Sequence, residues 1–481
     1  MALLNGKVHE KRWQIEVNQQ VITWIVGGET LLTFEQARLL YTRFKTEEKA
    51  FKRLQKLYDY YVGEHEIMKK AERKSNKTYR IVHNFAKYIT TISTGYFLGS
   101  PVSYVYSKPQ FEKALNILED NDEETVNYDN AVNCSIYGVA YELQYFDEKG
   151  EYNFVDLDPR NVITIDDGRV KPTITDAIVF SETLLKENEY KVRMDIYDDK
   201  ERATYEFIHK VAEKTDVDIP YELVERVPHG FDKVPIIKYR NNKFELGDWE
   251  DCVALMDAYN HAVSGNVEDL ADFTDAFLKL RNMVDTQRDD IQRAKDDKVF
   301  LLDEDGDADW LIKNVNDTFA QNIKKGLRYD IHKFSFVPDM SDESFGSNLS
   351  GVAIKYKLLA LEQVRGQKAR MFRKALTDRL DFINRYVGMT NSDFFDHRDV
   401  KIQFAPNLPP NLLEEADLVQ KLQGILPEEV LLSLLSFIQD VKQVKEMKKK
   451  EDEEKFETYG FGQTDQEDQQ TNEVADTNAD N

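Results

Sequence analysis

Two long amphipathic helical patterns constrain this chain more than any other feature. From Asp248 to about Leu280, Trp249, Val253, Met256, Val263, Val267, Leu270 and Phe277 fall at near-heptad spacing. At about 1.5 Å per residue, that helix is roughly 50 Å long. A second stripe, Leu361, Val364, Phe372, Leu376, Leu380, Ile383 and Val387, steps by three and four along a helix predicted over 351–387. Elements of this length leave apolar stripes that one subunit cannot bury alone. Copies of the chain can cover them, and head-to-tail contacts between copies close only where the rotation per subunit fits an integer.

The sides opposite these stripes are charged. On the first helix they are acidic, with Asp251, Asp257, Glu268, Asp269, Asp272 and Asp275. On the second they are basic, with Arg365, Lys368, Arg370, Arg373, Lys374 and Arg379. The acidic side reads as solvated or tunnel-facing. Gly265 inside the first helix costs roughly 1 kcal/mol relative to Ala and suggests a bend or a close approach there.

The remainder is a mixture. Thr33-Phe34-Glu35-Gln36 is a capping box that opens a helix predicted over 33–60. Further helices are predicted in Ile81–Leu98, at 110–118 and at 126–137, with an acidic turn Glu119 to Glu124 before the last. Val102, Tyr104 and Tyr106 alternate as in a strand. Strands dominate to about residue 240, punctuated by Glu148-Lys149-Gly150, Asp166-Asp167-Gly168 and Asp198-Asp199-Lys200. An insertion over 283–313 ends in Val299–Leu302 and the turn Asp303 to Asp309. A helix follows at 315–334, then a loop from Pro338 to Ser350. Leu408-Pro409-Pro410 marks a boundary before short helices at 411–424 and 427–445. The expected class is mixed α+β, mainly helical.

Composition narrows the chemistry. A net charge of −24 over 481 residues argues against a protein that grips nucleic acid by neutralising phosphates. It leaves room for a surface that DNA slides past. The charge is uneven, roughly +7 over 1–100 and roughly −10 over 451–481. The tail from Lys448 is expected to be disordered. Cys134 and Cys252 form no C-x-x-C pair. No secretory signal or membrane span is read, so the chain is expected to fold in a cytoplasm.

No catalytic constellation is legible. There is no P-loop, no H-E-x-x-H and no G-x-S-x-G elbow. Asp303-Glu304-Asp305-Gly306-Asp307-Ala308-Asp309 imitates a calcium loop, but with Gly306 at position six the two end positions are Leu301 and Ile312, which lack oxygen side chains. A β-turn is the better reading. The carboxylates at Asp248, Glu250 and Asp251 lie in helical pattern without a neighbouring His or Lys constellation, so a two-metal site is not expected. No catalytic, cofactor-binding or metal-ligating residue is assigned.

Four segments, taken in order, resemble the portal family of siphophages that infect Gram-positive bacteria. They are Arg80–Ile89 running on to Gly95–Val102; Ser135–Leu143 with Leu157-Asp158-Pro159; Val234–Ile237 with Asn241-Asn242 and Gly247–Glu250; and Ser341–Gly346 with Ser350–Lys357. The ordered set is specific, although no single segment is. His83 and Ser93 depart from the family's pattern, and the acidic tail looks specific to one lineage.

The resemblance implies a portal fold: a wing over 1–240, a first stem helix over 241–282, a clip over 283–313 and a second stem helix over 314–336. A tunnel loop follows over 337–350, then a long wing helix and strand over 351–405, a crown over 406–447 and the acidic tail over 448–481. It implies a closed ring of about twelve copies at one capsid vertex of the virion, assembled in the host cytoplasm. Double-stranded DNA passes through the ring. Large terminase, a head-completion connector protein, and major capsid and scaffolding proteins are the implied partners. Ser341, Asp342, Glu343, Ser344, Phe345, Gly346, Ser347 and Asn348 would face DNA. Asp303, Asp305, Gly306, Asp307 and Trp310 would dock partners. Lys324, Lys325, Arg328 and Lys333 would meet phosphates or, the favoured reading, pair with the acidic helix. Two competing readings are a helical adaptor that never touches DNA and an enzyme of the packaging machine, against which the missing P-loop counts.

Overall fold

A computed structural model describes residues 14–18, 21–25, 32–46, 49–74, 77–106, 109–210, 219–273, 277–281, 287, 289, 292–293, 307–311, 317–341, 351–391, 394–407, 412–435, 438, 441 and 444–451. The chain divides into two compact units, Met1–Asn407 and Leu408–Asn481.

The first unit opens with strands β1 (Gln14–Asn18) and β2 (Val21–Ile25), then helices α1 (Phe34–Thr46), α2 (Ala50–Val62) and α3 (Phe85–Leu98). Strand β3 (Ser103–Val105) leads to α4 (Glu112–Asp120) and α5 (Glu123–Tyr137). Strands β4 (Val139–Phe146), β5 (Tyr152–Leu157), β6 (Val162–Asp166), β7 (Ile174–Lys186), β8 (Glu189–Tyr197), β9 (Glu201–Lys210), β10 (Tyr221–Pro228) and β11 (Ile236–Arg240) follow. Then come α6 (Val253–Phe273), β12 (Phe277–Arg281), β13 (Asp307–Leu311), α7 (Asp317–Phe334), α8 (Gly351–Lys357), α9 (Leu359–Asn391) and β14 (Lys401–Gln403). The second unit holds α10 (Leu412–Leu422) and α11 (Glu428–Ser433), with Lys445 3.1 Å from Glu429.

The main sheet has the order β1-β2-β6-β7-β8-β9-β10, antiparallel except where β2 meets β6. Smaller sheets are β11-β4-β5, β12-β13 and β14-β3. Short-range chemistry sets the turns. Asp147 accepts from the N–H groups of Lys149 and Glu151, and Asp198 from those of Lys200 and Glu201. The capping box forms as read: Thr33 and Gln36 exchange hydrogen bonds of 3.0 and 3.3 Å. A core of Phe97, Ala131, Tyr239, Phe372, Leu376 and Phe382 binds α9 to the helices and strands around it, so the second apolar stripe, expected to need a neighbouring copy, is largely buried within this chain.

Several expectations are corrected. The helix expected over 33–60 is two helices, α1 and α2. The acidic turn before α5 is shorter than expected, because α4 runs to Asp120 and α5 starts at Glu123. The helix expected to reach Leu280 stops at Phe273, about 32 Å for its 21 residues. Phe277 lies in β12, which pairs antiparallel with β13, Leu278 opposite Trp310 and Arg281 opposite Asp307. An F-L-K-L-R stretch fits either period, and cross-strand pairing decides it. Asp307 and Asp309 therefore stand in a strand, not in a turn. Asp-rich β13 has poor strand propensity, which is why sequence alone misassigns it. The helix expected over 351–387 is interrupted at Leu358 and runs on to Asn391. A Cβ added at Gly265 would meet nothing within 4 Å, so no close approach within this chain explains that glycine. Residues 448–451, expected to lack structure, are helical.

Candidate functional site

The features singled out from sequence converge on α6, α7 and the chain leaving α7. The base of α6 is fixed by a hub in which three of the separated sequence segments meet. Gly138, at φ +85°, lies so close to Glu245 that an added Cβ would sit 1.9 Å from its carbonyl oxygen. Gly247 is likewise closed in: a Cβ added there would sit 2.4 Å from the Ile136 carbonyl oxygen. Around them Asp248 accepts from Ser135 Oγ at 2.6 Å and from Asn241 at 2.8 Å. The indole N–H of buried Trp249 donates to Thr90 at 2.9 Å. Arg53 takes Glu250 in a two-point contact of 2.6 and 2.5 Å.

Lys368 of α9 completes the hub. Its ammonium meets Asp248 and donates to Ser93 at 3.0 Å. Burial pushes the Asp248 carboxyl up, but Lys368, Ser135 and Asn241 outweigh it and hold the group below the usual carboxylate range. Three turns further along α9, Arg379 is wholly buried. It donates to Glu142 at 2.8 and 2.5 Å and to Glu123 at 3.2 Å. Lys368 and Arg379, two members of the strongly basic side, are internal anchors. Asp248 and Glu250, the heart of the apparent carboxylate cluster, are each neutralised by a dedicated cation. Among the described residues, no group of His, Cys, Asp and Glu is arranged to hold a metal.

The body of α6 is held by an unusual ladder. Among the described residues, the extended stretch 79–83 has no partner strand. Its alternate backbone N–H groups are received by α6 side chains: Tyr79 by Glu268 at 3.0 Å, Ile81 by Ser264 at 3.0 Å and His83 by Asn260 at 2.8 Å. The spacings match: two extended residues advance about 6.7 Å and four helical residues about 6.0 Å. Asn260 also donates to His65 Nδ1, which burial keeps neutral. Lys70 pairs with Glu268 at 2.7 Å, and Tyr60 donates to Asp257 at 2.7 Å. Two members of the expected solvated acidic face, Asp257 and Glu268, thus face the protein.

Helix α7 lies against α6 through buried Ile331 and part-buried Ala320 and Leu327. One flank of its outer side carries exposed Phe319, Ile323, Tyr329 and Phe334. The other flank carries Lys324, Lys325 and Arg328. Among the described residues, Arg328 pairs with Asp339 at 2.6 Å and reaches Ser341 at 2.5 Å, rather than pairing with α6. Lys333 lies 5.6 Å from the Tyr329 ring centroid. Asp342, Glu343, Ser344, Phe345, Gly346, Ser347 and Asn348 lie outside the described residues, as do Asp303, Asp305 and Gly306. No helix among the described residues is long and apolar enough to cross a membrane.

Comparison with known proteins places the sequence in a family. Residues 43–457 match the family described as phage portal protein, SPP1 Gp6-like. A portal protein of Bacillus phage SPP1 is 23% identical over 391 residues, covering 76% of each chain. A portal protein of Clostridium phage phiCD119 is 24% identical over 402 residues, covering 78% of this chain and 86% of the relative.

Proposed function

Because the chain belongs to the SPP1 Gp6-like family of phage portal proteins, we propose that it acts as one subunit of a closed ring that conducts the genome at a capsid vertex. The observation that carries the reading is the outer face of α7. Ile323, Tyr329 and Phe334 are exposed on a helix that already packs on α6. A neighbouring copy is the occupant that covers such a face on every subunit at once, and a ring of about twelve does so without open ends.

In this reading α6 and α7 are the stem and the β12–β13 hairpin begins the clip. The chain from Val337 starts the tunnel loop, α9 spans the wing, and residues 406–447 form the crown. The net charge of −24 suits a conduit. DNA must pass without accumulating phosphate contacts, each of which adds affinity. Terminase and a connector protein would dock on the clip, and capsid and scaffolding proteins on the outer surface. The ring works as part of the virion. The family is a structural one, and the catalysis of packaging belongs to its partners.

Electron microscopy of the purified full chain, with light scattering alongside, tests the proposal. Rings of about twelve or thirteen subunits with an axial hole are expected. Uniform dimers, or globular particles without a channel, overturn it.

A further inference from the structure

Resting on the portal reading, we infer that Arg328 is a positioning residue: it staples the chain that leaves α7 to Asp339 and does not serve as a cation that grips passing DNA. Phe336 follows α7 with φ at +60°, in the left-handed region where glycine or asparagine is usual. That turn folds the chain back so that Val337 is buried. Residues 337–341 then run across α3 and α7, held at each step.

The His332 ring, through Nδ1, meets the Val337 carbonyl at 3.0 Å. The Tyr88 hydroxyl, on α3, donates to the Pro338 carbonyl at 3.2 Å and accepts from the Met340 N–H at 2.9 Å. Asp339 accepts from the Ser341 N–H at 3.1 Å and hydroxyl at 2.7 Å. Arg328 closes the set, with Asp339 at 2.6 Å and the Ser341 oxygen at 2.5 Å. Three side chains from two helices thus fix five residues that carry no helical or strand hydrogen bonding of their own.

This changes the role of the charge. An arginine committed to a carboxylate and a hydroxyl offers less attraction to a phosphate than a free one. What it supplies is a fixed point of departure for the chain that continues at Asp342. Positioning of this kind is sensitive to geometry, so Lys, a point charge without the guanidinium fork, is a poor substitute.

The test uses the full-length protein and hydrogen exchange at residues 337–341, a readout that needs no DNA. Arg328→Ala and Asp339→Ala are each expected to speed exchange at Met340 and Ser341 by about tenfold or more. The swapped pair Arg328→Asp with Asp339→Arg is expected to restore protection. Tyr88→Phe should raise exchange at Met340. In packaging reactions, Asp339→Ala should reduce packaged DNA as much as Arg328→Ala does, although it leaves the arginine in place. Normal packaging by Asp339→Ala beside failure of Arg328→Ala overturns the inference and makes Arg328 a phosphate contact. Unchanged exchange in both single variants also overturns it. A chain that builds no rings defeats the portal reading, while the exchange data still decide the staple.

Discussion

Lys368 and Asp248 form an ion pair in which each side chain is 4% exposed. The pair joins the middle of α9 to the residue just before Trp249 and α6. It therefore fixes the base of α6 against α9. Removing one partner leaves a charge buried without compensation. Lys368→Ala is expected to destabilise the fold by about 3–5 kcal/mol. Adding Asp248→Asn should recover part of that loss, which urea denaturation of both variants will check.

Arg379 and Glu142 provide a second internal anchor, reinforced by Tyr239, Asn130 and Gln144 around the carboxylate. The two-point contact depends on the planar guanidinium. Arg379→Lys keeps the charge but loses the fork, so it should destabilise measurably, though by less than the about 3–5 kcal/mol of an outright break of a buried pair. Thermal melting that shows Arg379→Lys equal to the unaltered protein would refute this.

The ladder between 79–83 and α6 predicts a local effect. Ser264→Ala removes the acceptor for the Ile81 N–H. A loss of about 1–3 kcal/mol is expected from the orphaned donor. Exchange at the Ile81 amide should accelerate more than at Tyr79 or His83, whose acceptors remain.

Acid should weaken the fold in two stages. Burial lowers the His65 pKa, so the unfolded chain takes up that proton first. Stability is complete above about pH 6.5 and begins to fall below it. Asp248, Asp339 and Glu362 follow, each held below the usual carboxylate range. For Asp339, burial opposes the shift, and hydrogen bonds from Arg328 and Ser341 outweigh it; for Glu362 the Arg365 contact leads. Their contribution is present above about pH 4 and is lost as pH falls through their lower folded values. Melting temperatures from pH 7 to 3 should decline in that order, and Asp339→Asn should flatten the lower limb.

Phe336 is half exposed and sits at positive φ. Phe336→Gly relieves a conformation that costs a side-chain-bearing residue about 1–2 kcal/mol. A higher melting temperature is expected, and a lower one would show that the ring's contacts outweigh the strain.

Local periodicity and turn chemistry determined much of this protein. Thr33 and Gln36 capped a helix as read, the Asp-rich turns fell between strands, and the ordered segments from Arg80 to Lys357 carried the family. What periodicity could not supply was the use of each charge. Lys368 and Arg379 look like solvated basic residues because a helix pattern reports which side is apolar, not which polar residue meets a buried partner far along the chain. Asp248 lies 120 positions from Lys368 and Glu142 lies 237 from Arg379. The same limit hid the ladder, since Asn260, Ser264 and Glu268 repeat every four residues as any polar face does. Only the extended stretch 79–83, brought alongside by the fold, makes that repeat a row of acceptors. The end of α6 was decided in the same way, because a strand exists only when its partner is in place. Sequence thus set the short-range geometry and the family, while tertiary structure decided which charges are buried and paired.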